Sequence, residues 1–488
     1  EFPADCLGAR HLAQSLVAED ARTPDSDGRF LKRAVTECED AIRRHPGTFG
    51  AALCAALLAV SGQSVAAEAT DREATLLKYE ASLKERRWED ALVPAQQLAD
   101  LAKSKEGDQS AALADALIRL GGVQYQLKDY PNAEASFITA LRIREKQGGA
   151  LARGLEEPLS GLGLTLAATD RHAEAAEVLE RALLVSQRHN GLFDVSQNGL
   201  RLQLANSLIE SGRALEAHQQ MQNLLQTAET AYGRNDLRFA EIADVGGDWY
   251  SRWGFFDIGR NLYRTAIKTI ETKAGPEDPR LVNPLRSLGR SFVRELLFTN
   301  AGLVRAPANG GFRLLSRTRL PEEGEDAMVR AVRIMEANGA SSPTMFRVAL
   351  IDSGDWYLLK NDRDKALEFY GTALALPAAS TTETALVGDP LSFPAMLDYQ
   401  QPQVARRYME RDRAPEKLIE RKLTMEFTVS STGAVVEPRI IESDATERME
   451  RETLASIREA LYRPRFENGV PVDTPNVRYQ QTFKDLKN

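Results

Sequence analysis

Between residues 72 and about 380 the apolar positions recur with a long, regular period. Leu120-Gly121, followed by Tyr130, Ala133, Phe137 and Ala140, returns 42 positions later as Leu162-Gly163, Ala175, Leu179 and Ala182. The set returns again as Leu204-Ala205, Ala217, Met221 and Leu224, and then as Gly246-Gly247, Gly259, Tyr263 and Ala266. An earlier copy carries Trp88, Ala91, Ala95 and Leu98. Within a copy the apolar residues are spaced three or four apart, the stripe of an amphipathic helix. Each copy predicts two antiparallel helices, whose small residues permit a close approach and whose larger apolar residue fills the remaining gap. A sixth copy opens on schedule at Leu288-Gly289, but its second helix is delayed to Gly324, Met328 and Ala331. The stretch from about 300 to 323 holds Pro307, Gly310-Gly311 and Pro321, which suit an inserted loop. The phase then resumes at Ala366, Tyr370 and Ala373, giving seven helix pairs. GDWY occurs at 247–250 and 354–357, at one repeat offset, so its aromatic residues read as packing.

From about Ser380 the helical phase is lost, and residues 381–415, rich in Pro and polar side chains, read as a linker. Beyond it the period becomes two: Leu423, Met425, Phe427 and Val429 alternate with Thr424, Glu426 and Thr428, a half-buried strand. A turn at Ser431-Thr432-Gly433 leads to a second strand over about 435–441. Leu454, Ile457 and Leu461 share one helix face, Asn468-Gly469 marks a tight turn, and 477–483 reads as a last strand. Residues 416–488 thus predict a small α/β domain. Each helix pair is expected to contact mainly its neighbours, so this domain is expected to be separable from the repeats.

At 488 residues the chain exceeds one ordinary core, and 43% hydrophobic with 27% charged residues is a folding composition. A net charge of −8 argues against nucleic acid as a partner, because phosphate binding needs a basic excess. The three cysteines, Cys6, Cys38 and Cys54, leave the rest of the chain without a thiol for disulfides or metal. The five histidines are scattered, and no nucleophile, base and orienter fall together. No metal, no cofactor and no catalytic residue is expected.

Arg43-Arg44-His45, an apolar run over 49–60 and Val65-Ala66-Ala67 have the layout of a secretory signal cleaved after Ala67. The other reading is a further repeat: Ala34, Cys38, Ala41 and Pro46 fit its second helix, and the apolar run would be the next buried helix. The status of residues 1–67 stays open between the two. No run of 18 apolar residues occurs, so no transmembrane helix is expected.

The recurring Leu-Gly, Tyr, Ala, Phe and Ala resembles the tetratricopeptide repeat family, whose usual unit is 34 residues. The extra length adds about two helical turns per pair, as in the longer units of kinesin light chains. The resemblance implies a mainly α fold, a right-handed α-solenoid of about seven helix pairs over 72–380. It also implies a concave groove lined by fixed positions of each first helix. Those positions fall on Asp244, Asp248 and Arg252 in the fifth pair and on Arg286, Arg290 and Arg294 in the sixth. Residues four apart share a helix face, so the arginine stripe suits capture of a carboxylate or an acidic peptide. The alternative is that the arginines pair with Asp244 and Asp248.

MEFTVSSTGAVVEPRIIES, TLASIREALY and RPRFENGVPVDTPNVRYQQTF resemble the C-terminal domain of the TonB family. That resemblance implies the Gram-negative periplasm and binding of partner peptides along an exposed sheet edge, for which Val477, Tyr479 and Gln481 are the candidates. Force transmission in that family needs a membrane anchor and a long Pro-rich spacer, which leaves peptide binding as the expectation. The expected function is a non-catalytic periplasmic adaptor, soluble or peripherally associated. Its partners would be proteins or peptides, outer-membrane receptors or other envelope proteins among them. The other reading is a component of energy-coupled transport across the outer membrane.

Overall fold

The computed structural model describes residues 72–300, 320–339, 342–377, 389–402 and 418–486. The signal-like segment, most of the inserted loop and most of the linker lie outside the described residues. The described repeat region consists of seven helical hairpins: α1 (72–84) with α2 (Trp88–Glu106), α3 (Ala111–Gln126) with α4 (Tyr130–Gly148), and α5 (Glu156–Ala168) with α6 (His172–Asn190). Then come α7 (Asn198–Glu210) with α8 (Ala214–Tyr232), α9 (Leu237–Arg252) with α10 (Phe256–Ala274), α11 (Val282–Asn300) with α12 (Glu322–Ala337), and α13 (Pro343–Leu359) with α14 (Arg363–Ala375).

The repeat period is written into the backbone as well as the core. Inside successive pairs the turn passes through Arg86, Lys128, Asp170, Gly212 and Gly254, all with positive φ. Between pairs the chain leaves the second helix through Gly107, Gly149, Gly191, Gly233 and Gly275. Gly107, at φ 89° and ψ 169°, occupies a region essentially closed to residues with a Cβ, and its N–H closes α2 onto the Lys103 carbonyl at 3.1 Å. The small residues act where the two helices meet. A Cβ at Gly163 would stand 2.6 Å from Leu179, at Gly247 2.6 Å from the Tyr263 ring, and at Gly354 2.4 Å from the Tyr370 ring. Trp249, Tyr250, Trp356 and Tyr357 of the two GDWY segments are all buried, as packing requires.

The chain divides into two compact units, at Thr227 and Ala228. In the first, a core built on Ala95, Leu120, Phe137, Leu155 and Leu162 runs from pair to pair. In the second, one core extends from Phe239 and Tyr263 through Phe292, Met328, Trp356 and Tyr370 to Leu391, Leu397 and Phe466. The C-terminal domain begins earlier than the alternating pattern suggests. Strand β1 (Ala395–Asp398), inside the stretch read as linker, pairs antiparallel with β4 (Leu461–Arg463), Met396 opposite Tyr462. The main sheet has β2 (Leu418–Val429) at its centre, between β3 (Val435–Ser443) and β7 (Thr474–Leu486), all antiparallel. A short hairpin, β5 (Arg465–Glu467) with β6 (Val470–Val472), turns on Asn468 and Gly469, both at positive φ as a two-residue turn demands. Leu423, Met425, Phe427 and Val429 face inward against Met449 and Ile457 of α15 (Glu447–Arg458). Leu461, read with Leu454 and Ile457 as one helix face, lies past the helix end. It opens β4 because its backbone pairs with Asp398 and bridges to Ala434.

The domain makes contacts with the last helix pair that the repeat pattern does not suggest. Phe466 packs on Tyr370 with ring centroids 5.3 Å apart, and its N–H bonds the Leu391 carbonyl at 2.8 Å. Arg463 Nη1 donates to Asp355 Oδ2 at 2.8 Å, and its Nη2 donates to the Pro390 carbonyl at 3.1 Å. Arg363 of α14 donates to the Ser431 carbonyl at 3.2 Å. A terminal repeat has no following pair to cover its apolar face, and here the C-terminal domain covers it.

Two outcomes test this packing. Gly354→Ala is expected to destabilise the protein by about 1–3 kcal/mol, because the Tyr370 ring must move. Gly122→Ala, whose Cβ would meet nothing within 4 Å, is expected to be neutral or stabilising by up to ~1 kcal/mol. Urea midpoints followed by circular dichroism compare the two, and equal effects would contradict the close-approach account. Arg463→Ala leaves Asp355, only 18% exposed, without its counter-charge. It is expected to cost about 3 kcal/mol, with the loss appearing in the helical signal; an unchanged helical midpoint would contradict the covering role.

Candidate binding site between α9 and α11

The six groove residues named from the sequence sit on two adjacent helices, and the structure sorts them into two depths. Asp248, Arg252, Arg290 and Arg294, joined by Ser287, line one cavity of about 180 Å³. Asp244 and Arg286, one turn nearer the start of each helix, are not among its lining residues. Arg286 is buried, its Nη2 2.7 Å and Nε 2.9 Å from Asp352 Oδ2 on α13. It is therefore a structural cation, not a free one. Arg290 is 51% exposed and approaches the same Asp352 only at 3.9 Å. Among the described residues Arg252 and Arg294 form no ion pair, and neither do Asp244 and Asp248. The arginine stripe pairs with acid at its inner end, with Asp352 of α13 and not with Asp244 or Asp248; among the described residues Arg252 and Arg294 carry no ion pair and Arg290 only the long one to Asp352.

Electrostatics in the cavity are those of an unneutralised site. Three guanidinium groups face one carboxylate, and Asp248 Oδ1 already accepts the Tyr263 hydroxyl at 2.7 Å. Burial, and then repulsion from Arg290, lowers Arg294 below the ordinary guanidinium range. Like charges held together in a partly desolvated cleft bind an anion more strongly than isolated surface arginines do, because the dielectric is lower and the cations outnumber the carboxylate beside them. Asp244 has the opposite problem. Its Oδ1 is buried without a hydrogen-bond partner, and Arg286, its natural counter-ion, is taken by Asp352. Burial first, and Asp248 second, push its carboxyl up to about 7 against the pull of Arg286.

Tyr263 and Ser287 were not singled out from the sequence. Tyr263 could have been: it stands 15 residues after Asp248, as Tyr370 stands 15 residues after Asp355, and both hydroxyls donate to those carboxylates. A buried ion pair of Arg260 with Glu295, at 2.6 Å, joins α10 to α11.

The sheet-edge candidates are placed differently from the sequence expectation. Among the described residues β7 is an edge strand, but Val477, Tyr479 and Gln481 turn toward the packed side of the sheet. Gln481 is buried, and its Oε1 accepts the Tyr399 hydroxyl at 3.0 Å, while the Tyr399 and Tyr479 rings lie 5.1 Å apart. Strict alternation along the strand puts Arg478, Gln480 and Thr482 on the exposed side instead. A strand added at this edge would meet main-chain groups and those three side chains.

The raised Asp244 carboxyl has a consequence for stability. Its charged form is penalised in the folded chain, fully so above pH about 7, and the penalty fades as pH falls toward the unfolded value. Acidification from pH 8 to pH 5 is therefore expected to add stability through this group, at most ~1.4 kcal/mol per pH unit. Asp244→Asn should remove that contribution and be the more stable protein at pH 8. Urea midpoints at both pH values for both proteins decide it; parallel shifts would rule the effect out.

Residues 112–188 match the family described as tetratricopeptide repeat, and residues 412–483 match the one described as Gram-negative bacterial TonB protein C-terminal. No curated protein matches the chain. Among solved structures it is similar to BtubC (BKLC) from P. vanneervenii, at 15% identity over 62% of this chain and 92% of that one, with a TM-score of 0.31. It is similar to aspartyl phosphate phosphatase F from Bacillus subtilis, at 12% identity over 75% and 87%, with a TM-score of 0.36. A third is the C-terminal part of a TPR repeat-containing protein from Cytophaga hutchinsonii, at 11% identity over 63% and 96%, with a TM-score of 0.34. The chain joins a tetratricopeptide repeat region to a C-terminal domain of the Gram-negative TonB type.

Proposed function

We propose that this protein is a non-catalytic adaptor of the Gram-negative periplasm, whose repeat region captures an acidic segment of a protein partner in the cavity between α9 and α11. The observation that carries this reading is the surplus of guanidinium groups there. Arg252, Arg290 and Arg294 share a cleft with a single carboxylate. Holding three cations beside one carboxylate costs free energy, and an acidic partner recovers it on binding. Short carboxylate side chains fit this role because each guanidinium presents a planar fork of donors that a carboxylate matches in two-point fashion. The periplasmic setting is supported by the TonB-type domain, which belongs to Gram-negative envelope proteins. No helix among the described residues is long and apolar enough to cross a membrane.

A second reading, a component of energy-coupled outer-membrane transport, is favoured by one observation: β7 lies at the edge of its sheet, where a partner strand could pair. Fractionation of cells separates the two, since a transport component should co-purify with an inner-membrane complex.

The adaptor reading is tested with labelled glutamate-rich and lysine-rich decapeptides in fluorescence polarisation. The glutamate-rich set should bind, weaken steeply with salt, and lose at least tenfold in affinity in the Arg290→Ala/Arg294→Ala protein. Arg286 is kept intact in this design, because its loss would strand Asp352. Equal binding of both peptide sets, or unchanged affinity in the double variant, would overturn the reading.

A further inference from the structure

The chain shows twice how one repeat position handles charge, and only one copy is complete. In the last pair, Asp355 follows Gly354 and lies opposite Tyr370, whose hydroxyl donates to Oδ1 at 2.7 Å. Arg463 of the C-terminal domain then bonds both carboxylate oxygens, at 3.1 Å and 2.8 Å. In the fifth pair, Asp248 follows Gly247 and lies opposite Tyr263, whose hydroxyl donates to Oδ1 at the same 2.7 Å. The surrounding residues repeat as well, since GDWY spans 247–250 and 354–357. What differs is the guanidinium: among the described residues no ion pair reaches Asp248. In both pairs the tyrosine hydroxyl holds Oδ1 of the aspartate and leaves Oδ2 without that donor. The docked Arg463 displays what such a carboxylate accepts.

We propose that Asp248, held by Tyr263, receives an arginine side chain of the partner, so that the cavity reads a basic residue set among acidic ones rather than acid alone. This rests on the acidic-segment reading, because Arg252, Arg290 and Arg294 surround Asp248 and would repel a cation arriving by itself. With partner carboxylates on those three arginines, the incoming guanidinium enters a neutralised cleft and bonds the carboxylate as Arg463 does, where one Nη nitrogen reaches both oxygens of Asp355. The arrangement gives specificity by difference: a purely acidic segment satisfies the arginines but leaves Asp248 facing like charge, a cost that the mixed segment avoids. The remaining charged groups around Asp248 fit this account. Arg286 is engaged by Asp352, and Asp244, one turn back on α9, is held partly protonated at neutral pH by burial and by Asp248, so it competes less for the incoming cation.

The test uses the full chain and glutamate-rich decapeptides carrying one arginine, scanned through every position, each paired with the same peptide in which citrulline replaces arginine. Citrulline keeps the shape and loses the charge. At the favoured position the arginine peptide is expected to bind at least tenfold more tightly than its citrulline partner. Asp248→Asn should erase that difference while leaving or strengthening binding of the citrulline peptide, and Tyr263→Phe should reduce the difference. If Asp248→Asn strengthens both peptides equally, Asp248 is only a counter-charge for the arginines and the inference fails while the acidic-segment reading stands. If neither peptide binds the unaltered protein, both fail together. Because Asp248 is exposed, its asparagine variant should retain the helical signal; Tyr263→Phe supplies the second, independent variant.

Discussion

Everything in the repeat region depends on how closely two helices of a pair approach. Gly163, Gly247, Gly289 and Gly354 face Leu179, Tyr263, Met328 and Tyr370 at distances that leave no room for a methyl group. The approach fixes where the larger side chain lies, and in two pairs that side chain is a tyrosine with a polar tip. A ring pressed against a glycine has one direction left in which to extend, and its hydroxyl arrives at the aspartate that follows that glycine. Packing and polar organisation therefore come from one constraint. The glycine makes the space, the ring fills it, and the hydroxyl fixes a carboxylate on the face of the first helix.

That constraint explains why charge on this face is ordered rather than scattered. Arg286 is drawn to Asp352 across α11 and α13, and Arg463 to Asp355 one turn further along the same helix. Further along α11, Arg290 reaches the same Asp352 only at 3.9 Å, Arg294 has no ion pair among the described residues, and both share their cleft with Arg252. The buried pair of Arg260 with Glu295 shows the contrasting case, in which a cation at the back of the same helix layer is satisfied and nine-tenths buried. Satisfied arginines hold the helices together; unsatisfied ones face the cavity.

The C-terminal domain takes part in the same scheme. Through Phe466 it joins the apolar core of the last pair, and through Arg463 it supplies the charge that the last aspartate needs. A domain of TonB type here does structural duty as the cover of a repeat array, while its own main sheet keeps β7 and β3 as edges.

The sequence alone determined the helix pairs, their number, the alternation of β2 and the Asn468-Gly469 turn. These depend on local periodicity and on backbone angles that few residues tolerate, both of which are written residue by residue. It also placed Asp248, Arg252, Arg290 and Arg294 on one side of two neighbouring helices, because repeat offsets carry over from copy to copy. Only the tertiary structure decided which of the six charged residues are free. That depends on Asp352, 66 residues from Arg286 and on another helix pair. Likewise β1 within the linker, the end of α15 before Leu461 and the inward turn of Gln481 follow from partners far along the chain. A side chain's neighbours in space set its burial and its charge balance, and no local pattern encodes them.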